Sequence, residues 1–187
     1  MKKRDEIKSL IQDDLYRYCG NDKIDFFSKM RFYGWQYLKT WRRASYYAEK
    51  NQFMYYVYGY LLYRKFLKYG FQISPHAKIG NGLYLGHFGT VIVGDEVEIG
   101  CNVNINPNVV IGRANRGKIK GSPKIGNSVW IGSGAVLVGN ISIGDNVLIA
   151  PNAYVNFDVP KDSIVVGNPG TIHSSLYATE NYISNRV

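Results

Sequence analysis

The sequence predicts a parallel β-solenoid preceded by a small helical region. Over residues 79–155 an aliphatic residue returns every six positions and is usually followed by Gly. Neither the 3.6-residue period of a helix nor the two-residue period of a strand produces this repeat. A short fixed period is typical of solenoids, in which each repeat buries its apolar side only against its neighbours. Residues 1–70 instead carry apolar residues at helical spacing.

Residues 1–70 are predicted to form four helices. The first carries an apolar stripe and stops at the turn Gly20-Asn21-Asp22. The others are expected over about residues 25–33, 35–50 and 52–69, and Gly70 closes the last one. This region holds 15 Lys and Arg against 7 Asp and Glu, and it is rich in aromatic residues.

Three interpretations of the basic, aromatic helices remain open. They form a cap that shields the first solenoid coil, because terminal coils need covering. Alternatively, they present a face that lies on an anionic membrane surface. Nucleic-acid binding is the third interpretation, and no known nucleic-acid motif accompanies the basic residues. We therefore expect no nucleic acid partner.

From residue 79 onward, three short strands joined by corners would form one triangular coil. Gly, Asn and Asp tolerate the backbone conformations that such corners demand, and they recur between the strands. The register slips twice. Two extra residues fall beside Gly86-His87-Phe88-Gly89, and about eight more leave the coil within residues 113–124, called here the basic excursion. Insertions in a solenoid map to its functional face, so chemistry is expected at both interruptions.

The repeat ends after residue 155, and the following segment is expected to terminate the prism. We therefore divide the chain into a helical region (1–70), a solenoid domain (71–170) and a polar tail (171–187). The tail is expected to form a short helix or to be partly disordered.

Several features bear on the compartment and on cofactors. No run of eighteen apolar residues is present, and no secretory signal is recognised. Cys19 and Cys101 lie far apart and are expected to be free thiols. A cytoplasmic protein is therefore expected. No metal-ligand spacing or phosphate-loop motif is found, so no metal is expected.

Two motifs resemble those of a known family. The motif VWIGSGAV at residues 129–136, with DVP at 158–160 and VVGNP at 165–169, resembles the hexapeptide-repeat acyltransferases. Within them, the chain is most similar to the serine acetyltransferase-like branch, which includes sugar and capsular-polysaccharide O-acetyltransferases. The resemblance covers about residues 71–172. It implies a left-handed parallel β-helix, a homotrimer with active sites between neighbouring prisms, and acetyl-CoA as the donor.

His87 is the candidate catalytic base. It lies in the Gly-flanked first interruption, and the resemblance places the catalytic His of the family on it. A hydroxyl is a poor nucleophile at neutral pH and needs a base to take its proton as it attacks a thioester. Direct attack of this kind requires no covalent intermediate. The other two histidines have weaker claims: His76 is a candidate for the acceptor cleft, and His173 is expected to be solvated.

Three positions depart from the pattern of serine acetyltransferases. By the resemblance, Gln72 stands where that family has the Asp that orients the base, and Gly86 replaces a second Asp. Ser122 stands where the family has a His that helps to bind serine. We therefore expect that free serine is not the acceptor. Gln72 would still fix the imidazole tautomer through a hydrogen bond.

The donor site is expected at the basic excursion and along the groove between prisms. Lys118 and Lys120 are placed to meet the phosphates of CoA. The resemblance implies that backbone groups of small residues hold the pantetheine arm, which nominates Gly112, Ser133, Gly134, Pro151 and Asn156.

The leading hypothesis is an acetyl-CoA-dependent O-acetyltransferase acting on a carbohydrate, such as a surface polysaccharide or its precursor. Serine O-acetyltransferase is the alternative within the same reaction class. A non-catalytic β-helix scaffold is the alternative from another class, and the presence of His87 argues against it.

Overall fold

The computed structural model describes residues 2–21 and 25–187, and in them four helices precede a parallel β-solenoid. The helices are α1 (Lys2–Cys19), α2 (Phe26–Arg31), α3 (Tyr33–Ala48) and α4 (Gln52–Tyr69). The four predicted helices are confirmed, but α3 begins two residues before its predicted start and contains Gly34. Asn51 caps the start of α4 by accepting a hydrogen bond from Met54 N at 2.9 Å, and Gly70 ends α4 in a left-handed conformation. Asp22, assigned by the sequence to the first turn, lies outside the described residues.

Fifteen short strands follow in the described residues and form three faces of a prism. The strands are β1 (Phe71–Ile73), β2 (Lys78–Ile79), β3 (Tyr84–Leu85), β4 (Val91–Val93), β5 (Glu98–Ile99), β6 (Asn104–Ile105), β7 (Val109–Gly112), β8 (Lys124–Ile125), β9 (Trp130–Ile131), β10 (Val136–Val138), β11 (Ser142–Ile143), β12 (Val147–Ile149), β13 (Tyr154–Val155), β14 (Ser163–Val166) and β15 (Thr171–Ser174). The first face contains β1, β4, β7, β10 and β13. The second contains β2, β5, β8 and β11, and the third contains β3, β6, β9, β12, β14 and β15.

Apolar residues of successive coils stack inside the prism. All strand pairs are parallel except β14 with β15, so each strand lies directly over its counterpart in the previous coil. On the first face, for example, Val93 pairs with Ile111, which pairs with Leu137, and each of these side chains is buried. The hexad residues thus form one continuous core, which confirms the predicted parallel β-helix.

The corners of the prism explain the Asn and Gly content of the repeats. Asn108, Gly134 and Asn152 occupy equivalent corners between the third and first faces, and all three have φ between 60° and 74°. Left-handed backbone conformations are unfavourable for most residues, and Gly and Asn adopt them most readily. Their backbones are linked from coil to coil, since Gly134 N donates to Pro107 O and Asn152 N donates to Ser133 O.

A buried ion pair joins the helices to the first coil. Arg42 of α3 donates two hydrogen bonds to Asp14 of α1, both at 2.9 Å, and two more to the carbonyls of Ile79 and Gly80. Asp14 also accepts from the backbone N–H of Leu83 at 3.0 Å. Burial raises the pKa of the Asp14 carboxyl, although the Arg42 guanidinium acts in the opposite direction. The pair therefore fixes α1 and α3 on the corners around β2.

The structure differs from the sequence-based account at both ends of the solenoid. Phe71–Ile73 precede the first hexad, yet they form β1, the first strand of the first face. The C-terminal residues are ordered against the third face, where β15 pairs with β14. Beyond β15, Asn104 donates to Tyr182 O, and Asn102 exchanges hydrogen bonds with the backbone of Val187. Hydrogen bonds to distant residues of the prism therefore hold this tail, which was expected to be a short helix or partly disordered.

Arg42→Met should lower the free energy of unfolding by about 3–5 kcal/mol, because it leaves a buried carboxylate without its counter-charge. The double variant Asp14→Leu/Arg42→Met should cost less than the single variant, since both charges are removed together. Urea denaturation of the two variants measures the difference. A loss below about 1 kcal/mol for Arg42→Met would show that the pair does not hold the helices on the prism.

Candidate active site

His87 lies at the corner between the third and first faces, between β3 and β4. Its side chain is exposed, and it makes no hydrogen bond to any other described residue. The neighbouring Phe88 is also exposed, to 66%, and packs edge-on against Tyr33 of α3. Gly89 N donates to Tyr69 O at the end of α4. The first interruption is therefore a corner that two helix ends support while its imidazole stays open to solvent.

The start of α3 and the end of α1 fix the strand that precedes His87. The Tyr18 hydroxyl accepts from Leu85 N at 3.0 Å and donates to Leu85 O at 3.1 Å. Gly34 lies against the same strand, where an added Cβ would be 2.4 Å from Leu85 O. Burial raises the pKa of the Tyr18 phenol well above 10, so this hydroxyl remains protonated. Two residues before His87, the backbone is thus held by a buried hydroxyl.

A small cavity of about 110 Å³ opens beside the His87 side chain. Arg31, the last residue of α2, is among its lining residues, together with Tyr18, Phe32, Tyr33, Gly34, Tyr84, Gly86, His87 and Phe88. At about 30 Å³ for each water, the cavity has room for roughly four water molecules, which is the scale of a small amino acid. His87 and Arg31 therefore line one cavity of a size that suits a small acceptor.

Gln72 and His76 border a different, larger groove. This groove of about 620 Å³ lies between α4 and the outer surface of the first face. Its lining includes the side chains of Tyr55, Tyr63 and Asp95 as well. The side chain of Gln72 is exposed and forms no hydrogen bond to His87 or to another described residue, although its backbone pairs with β4. Within one chain, the groove of Gln72 and the cavity of His87 are therefore separate, and the orienting role of Gln72 stays a prediction.

In the later coils, small residues occupy the same edge of the prism as His87. Ser133 and Gly134 occupy the corner between β9 and β10, and Pro151 occupies the corner between β12 and β13. Close stacking requires Gly132 here, because an added Cβ would be 2.6 Å from the backbone nitrogen of Pro151. We call this edge, between the third and first faces, the His87 edge. Three of the residues predicted for CoA lie on it.

The other predicted CoA residues lie on the opposite edge of the first face. Gly112 ends β7, and the basic excursion leaves the prism directly after it. Asn156 follows β13 on this edge, which we call the excursion edge. Lys118 and Lys120 are exposed on the excursion. The sequence-predicted donor site is therefore divided between two edges of one prism.

The basic excursion is an ordered hairpin. Ala114 and Gly121 exchange two backbone hydrogen bonds of 3.0 Å at its base. Ile119 O accepts from Asn140 N, which ties the hairpin to the next coil. Ser122 is buried where the chain rejoins the prism. The hairpin therefore has a fixed position relative to the excursion edge.

The five cations of the basic excursion fall into two groups. Arg113 forms an ion pair with Glu96 at 2.7 Å, and Lys124 lies 3.8 Å from Glu98. Among the described residues, Arg116, Lys118 and Lys120 have no acidic partner. The charge available to an anionic ligand is thus concentrated at the tip of the hairpin. In the part of the chain that the structure describes, no three His, Cys, Asp or Glu side chains gather into a metal site.

Sequence reasoning missed two residues around His87. Arg31 and Tyr18 reach the His87 corner only because the helices pack against it, and both are distant from His87 in the chain. No local pattern around either residue predicts this packing. His76 is exposed next to Tyr55, and His173 is exposed on β15.

A family model for bacterial transferase hexapeptide repeats (six repeats) matches residues 122–156. A serine acetyltransferase of Helicobacter pylori (strain ATCC 700392 / 26695) is 42% identical over 99 residues, which are 53% of this chain and 58% of that protein. The chain thus spans less than two thirds of the length of this curated relative.

Solved structures match the chain over a longer range. The soybean serine acetyltransferase apoenzyme superposes with a TM-score of 0.77 and 30% identity, over 89% of this chain and 69% of the other. A serine acetyltransferase from Brucella abortus in complex with coenzyme A gives a TM-score of 0.73 and 28% identity, over 90% and 66%. The likeness therefore extends to both the helices and the solenoid.

Tyr18→Phe should lower the free energy of unfolding by about 1–3 kcal/mol, because the buried N–H and C=O of Leu85 lose their partner. Urea denaturation measures this loss, and Tyr63→Phe, at a tyrosine that is 55% exposed, is the matched control. Equal stability of the two variants would show that the hydroxyl does not hold β3.

Tyr18→Phe should also change how the free energy of unfolding depends on pH above about pH 10. The folded Tyr18 phenol keeps its proton above pH 10, whereas the unfolded phenol loses it, so wild-type stability falls as the pH rises beyond that value. The fall should be shallower in Tyr18→Phe by up to about 1.4 kcal/mol per pH unit. Identical slopes would contradict the burial of this hydroxyl.

Proposed function

Because the chain belongs to the hexapeptide-repeat transferase family, we propose that it is an acetyltransferase using acetyl-CoA, with His87 as the general base. The observation that carries this proposal is the exposed imidazole at an interruption of the repeat. The small corners of Ser133, Gly134 and Pro151 continue upward along the same edge. An extended thioester chain approaches such backbone closely, because no large side chain blocks it.

The proposed reaction is a direct transfer that forms no covalent intermediate with the enzyme. The His87 imidazole takes the proton of an acceptor hydroxyl as its oxygen attacks the thioester carbonyl. The tetrahedral intermediate then collapses, the C–S bond breaks, and the imidazolium returns the proton to the leaving CoA thiolate. A backbone N–H close to the thioester oxygen would stabilise the oxyanion as it forms. The products are an acetyl ester and free CoA.

We infer that the acceptor is serine, which is acetylated on its hydroxyl. The relatives reported above are named serine acetyltransferases. The cavity beside His87 has the size of a small amino acid, and Arg31 on its wall suits a carboxylate, which a guanidinium binds through paired hydrogen bonds. In this arrangement Arg31 holds the carboxylate of serine while its hydroxyl faces His87.

This inference reverses the order of acceptors that the sequence favoured. The substitutions at Gln72, Gly86 and Ser122 led us to expect a carbohydrate and a role in polysaccharide synthesis. None of the relatives reported above is named for a carbohydrate. Those substitutions change the polar groups at three positions, and Gly86 is itself part of the cavity wall, but Arg31 and His87 still line the cavity.

A carbohydrate hydroxyl remains the second candidate because of the larger groove. Gln72, His76 and Asp95 supply polar groups there, and Tyr55 and Tyr63 supply aromatic surface. At about 620 Å³, the groove has room for a sugar ring, which the cavity beside His87 lacks. Such a mixture of apolar walls and few polar groups is typical of ligand pockets.

The division of the predicted donor site between two edges favours a trimer. The first face separates the His87 edge from the excursion edge within one chain. In a closed ring with three-fold symmetry, the His87 edge of one prism faces a different edge of its neighbour. We propose that Lys118 and Lys120 of one protomer bind the phosphates of the CoA whose thioester lies at His87 of the next.

His87→Ala should lower kcat by about 100-fold or more, which is the usual contribution of a general base. Thiol release from acetyl-CoA measures the rate, and calorimetry with CoA should give unchanged binding. His173→Ala, at an exposed histidine of β15, is the control and should keep wild-type activity. Full activity of His87→Ala would contradict the assignment of the base.

Arg31→Ala should raise KM for L-serine by about 10-fold or more, since a charge-assisted hydrogen bond to the carboxylate is lost. Activity with L-serinamide, which has no carboxylate, should not change. Arg43→Ala, at a guanidinium that lies over the Tyr58 ring, is the matched control. If the enzyme acetylates neither L-serine nor L-serinamide but acetylates a sugar, a carbohydrate replaces serine as the proposed acceptor.

Lys118→Ala/Lys120→Ala should raise KM for acetyl-CoA by about 10-fold, because two cations facing phosphates are removed. The effect should be smaller with acetyl-dephospho-CoA, which lacks the 3′-phosphate. Lys161→Ala is the control at an exposed lysine near Asp162. Equal effects on both donors would mean that the two lysines do not contact the 3′-phosphate.

A further inference from the structure

The outward side of α4 is an exposed apolar face. Only Leu62 of this helix is fully buried. The exposed large side chains recur at helical spacing and are Phe53, Tyr56, Val57, Tyr60, Leu61, Tyr63 and Leu67, with exposed fractions from 38% to 74%. Residues three and four positions apart lie on one side of a helix, so these seven form a continuous surface, called here the α4 face. A contiguous apolar surface of this kind marks an interaction site.

The charge on α4 has one sign only. The helix contains no Asp or Glu, and its three cations all lie in the second half. Arg64 and Lys68 are exposed within the α4 face, one turn apart. Lys65 points the other way, since its ammonium donates to Gln36 O. Long cationic side chains among aromatic and aliphatic ones are compatible with a bilayer interface, because their charged ends reach the headgroups while their stems lie in apolar surroundings.

We propose that the α4 face lies on an anionic lipid surface, with α4 parallel to the bilayer. Tyr and Leu side chains would enter the boundary between headgroups and acyl chains, while Arg64 and Lys68 pair with lipid phosphates. Residues 1–70 carry a net charge of +8, from 15 Lys and Arg against 7 Asp and Glu. An anionic bilayer attracts this charge, whereas a second copy of the same helical region repels it.

The geometry connects the α4 face with the proposed active site. Tyr69, the last residue of α4, accepts the hydrogen bond from Gly89, two residues after His87. A bilayer under α4 would therefore hold the His87 edge at a fixed height above the membrane. This inference does not depend on the acceptor, because it rests on the exposed surface of α4 alone.

The test is co-sedimentation of the full chain with vesicles. One set contains phosphatidylcholine alone, and the other contains about one third phosphatidylglycerol, which gives an anionic surface. The wild type should bind the anionic vesicles only, and binding should weaken as salt rises. Tyr60→Ser/Leu67→Ser and Arg64→Gln/Lys68→Gln should each weaken binding by about 10-fold or more.

Two controls are needed. One distinguishes binding through the α4 face from nonspecific attraction of positive charge, and the other shows that the variants are folded. Arg116→Gln/Lys161→Gln removes two exposed cations outside the helical region and should leave vesicle binding intact. The α4 variants should keep the wild-type circular dichroism and thiol-release activity. Absence of binding to anionic vesicles overturns the proposal. A change of oligomeric state in the α4 variants also overturns it, because a second copy would then cover the face.

Discussion

The buried pair of Asp14 and Arg42 is the interaction on which the proposed site depends. It joins α1 to α3 and attaches both to the corners around β2, through the carbonyls of Ile79 and Gly80 and the N–H of Leu83. A solenoid coil at the end of a stack has no neighbour on one side, so another element must cover it. The pair places the helices at that end, and the helices in turn bring Tyr18 and Arg31 to the His87 corner.

The prism and the helices contribute different parts of the chemistry. The prism supplies a stack of corners whose backbone geometry is fixed by Asn and Gly, and it leaves one imidazole exposed at an interruption. The helices add Arg31 to the cavity beside that imidazole, and the Tyr18 hydroxyl to the strand before it. Binding and catalysis both gain when such groups are held in place before the ligand arrives. On the proposed function, the choice of acceptor would depend on the helices more than on the repeat, which is shared across a family of transferases.

The sequence predicted the parts that local patterns determine. The hexads predicted the strands and the residues that point inward. Gly20 and Gly70 predicted two helix ends, and the two interruptions of the repeat singled out His87 and the basic excursion. It did not predict that β1 belongs to the first face, because that segment lacks the hexad. The contacts of Arg31 with the His87 cavity and of Asn104 with the C-terminal residues join distant parts of the chain, and only tertiary packing creates them. The proposal of serine depends on such contacts, whereas the sequence pattern alone favoured a carbohydrate.

Complementation between two impaired variants tests most directly whether the active site is shared between protomers. His87→Ala and Lys118→Ala/Lys120→Ala are co-expressed in equal amounts, and thiol release is measured at acetyl-CoA concentrations well below KM. If His87 of one protomer acts with the lysines of its neighbour, random mixing in a trimer restores about one quarter of the sites. We predict activity near a quarter of wild type, well above either variant alone. Activity no higher than the average of the two separate variants would contradict a site shared between protomers.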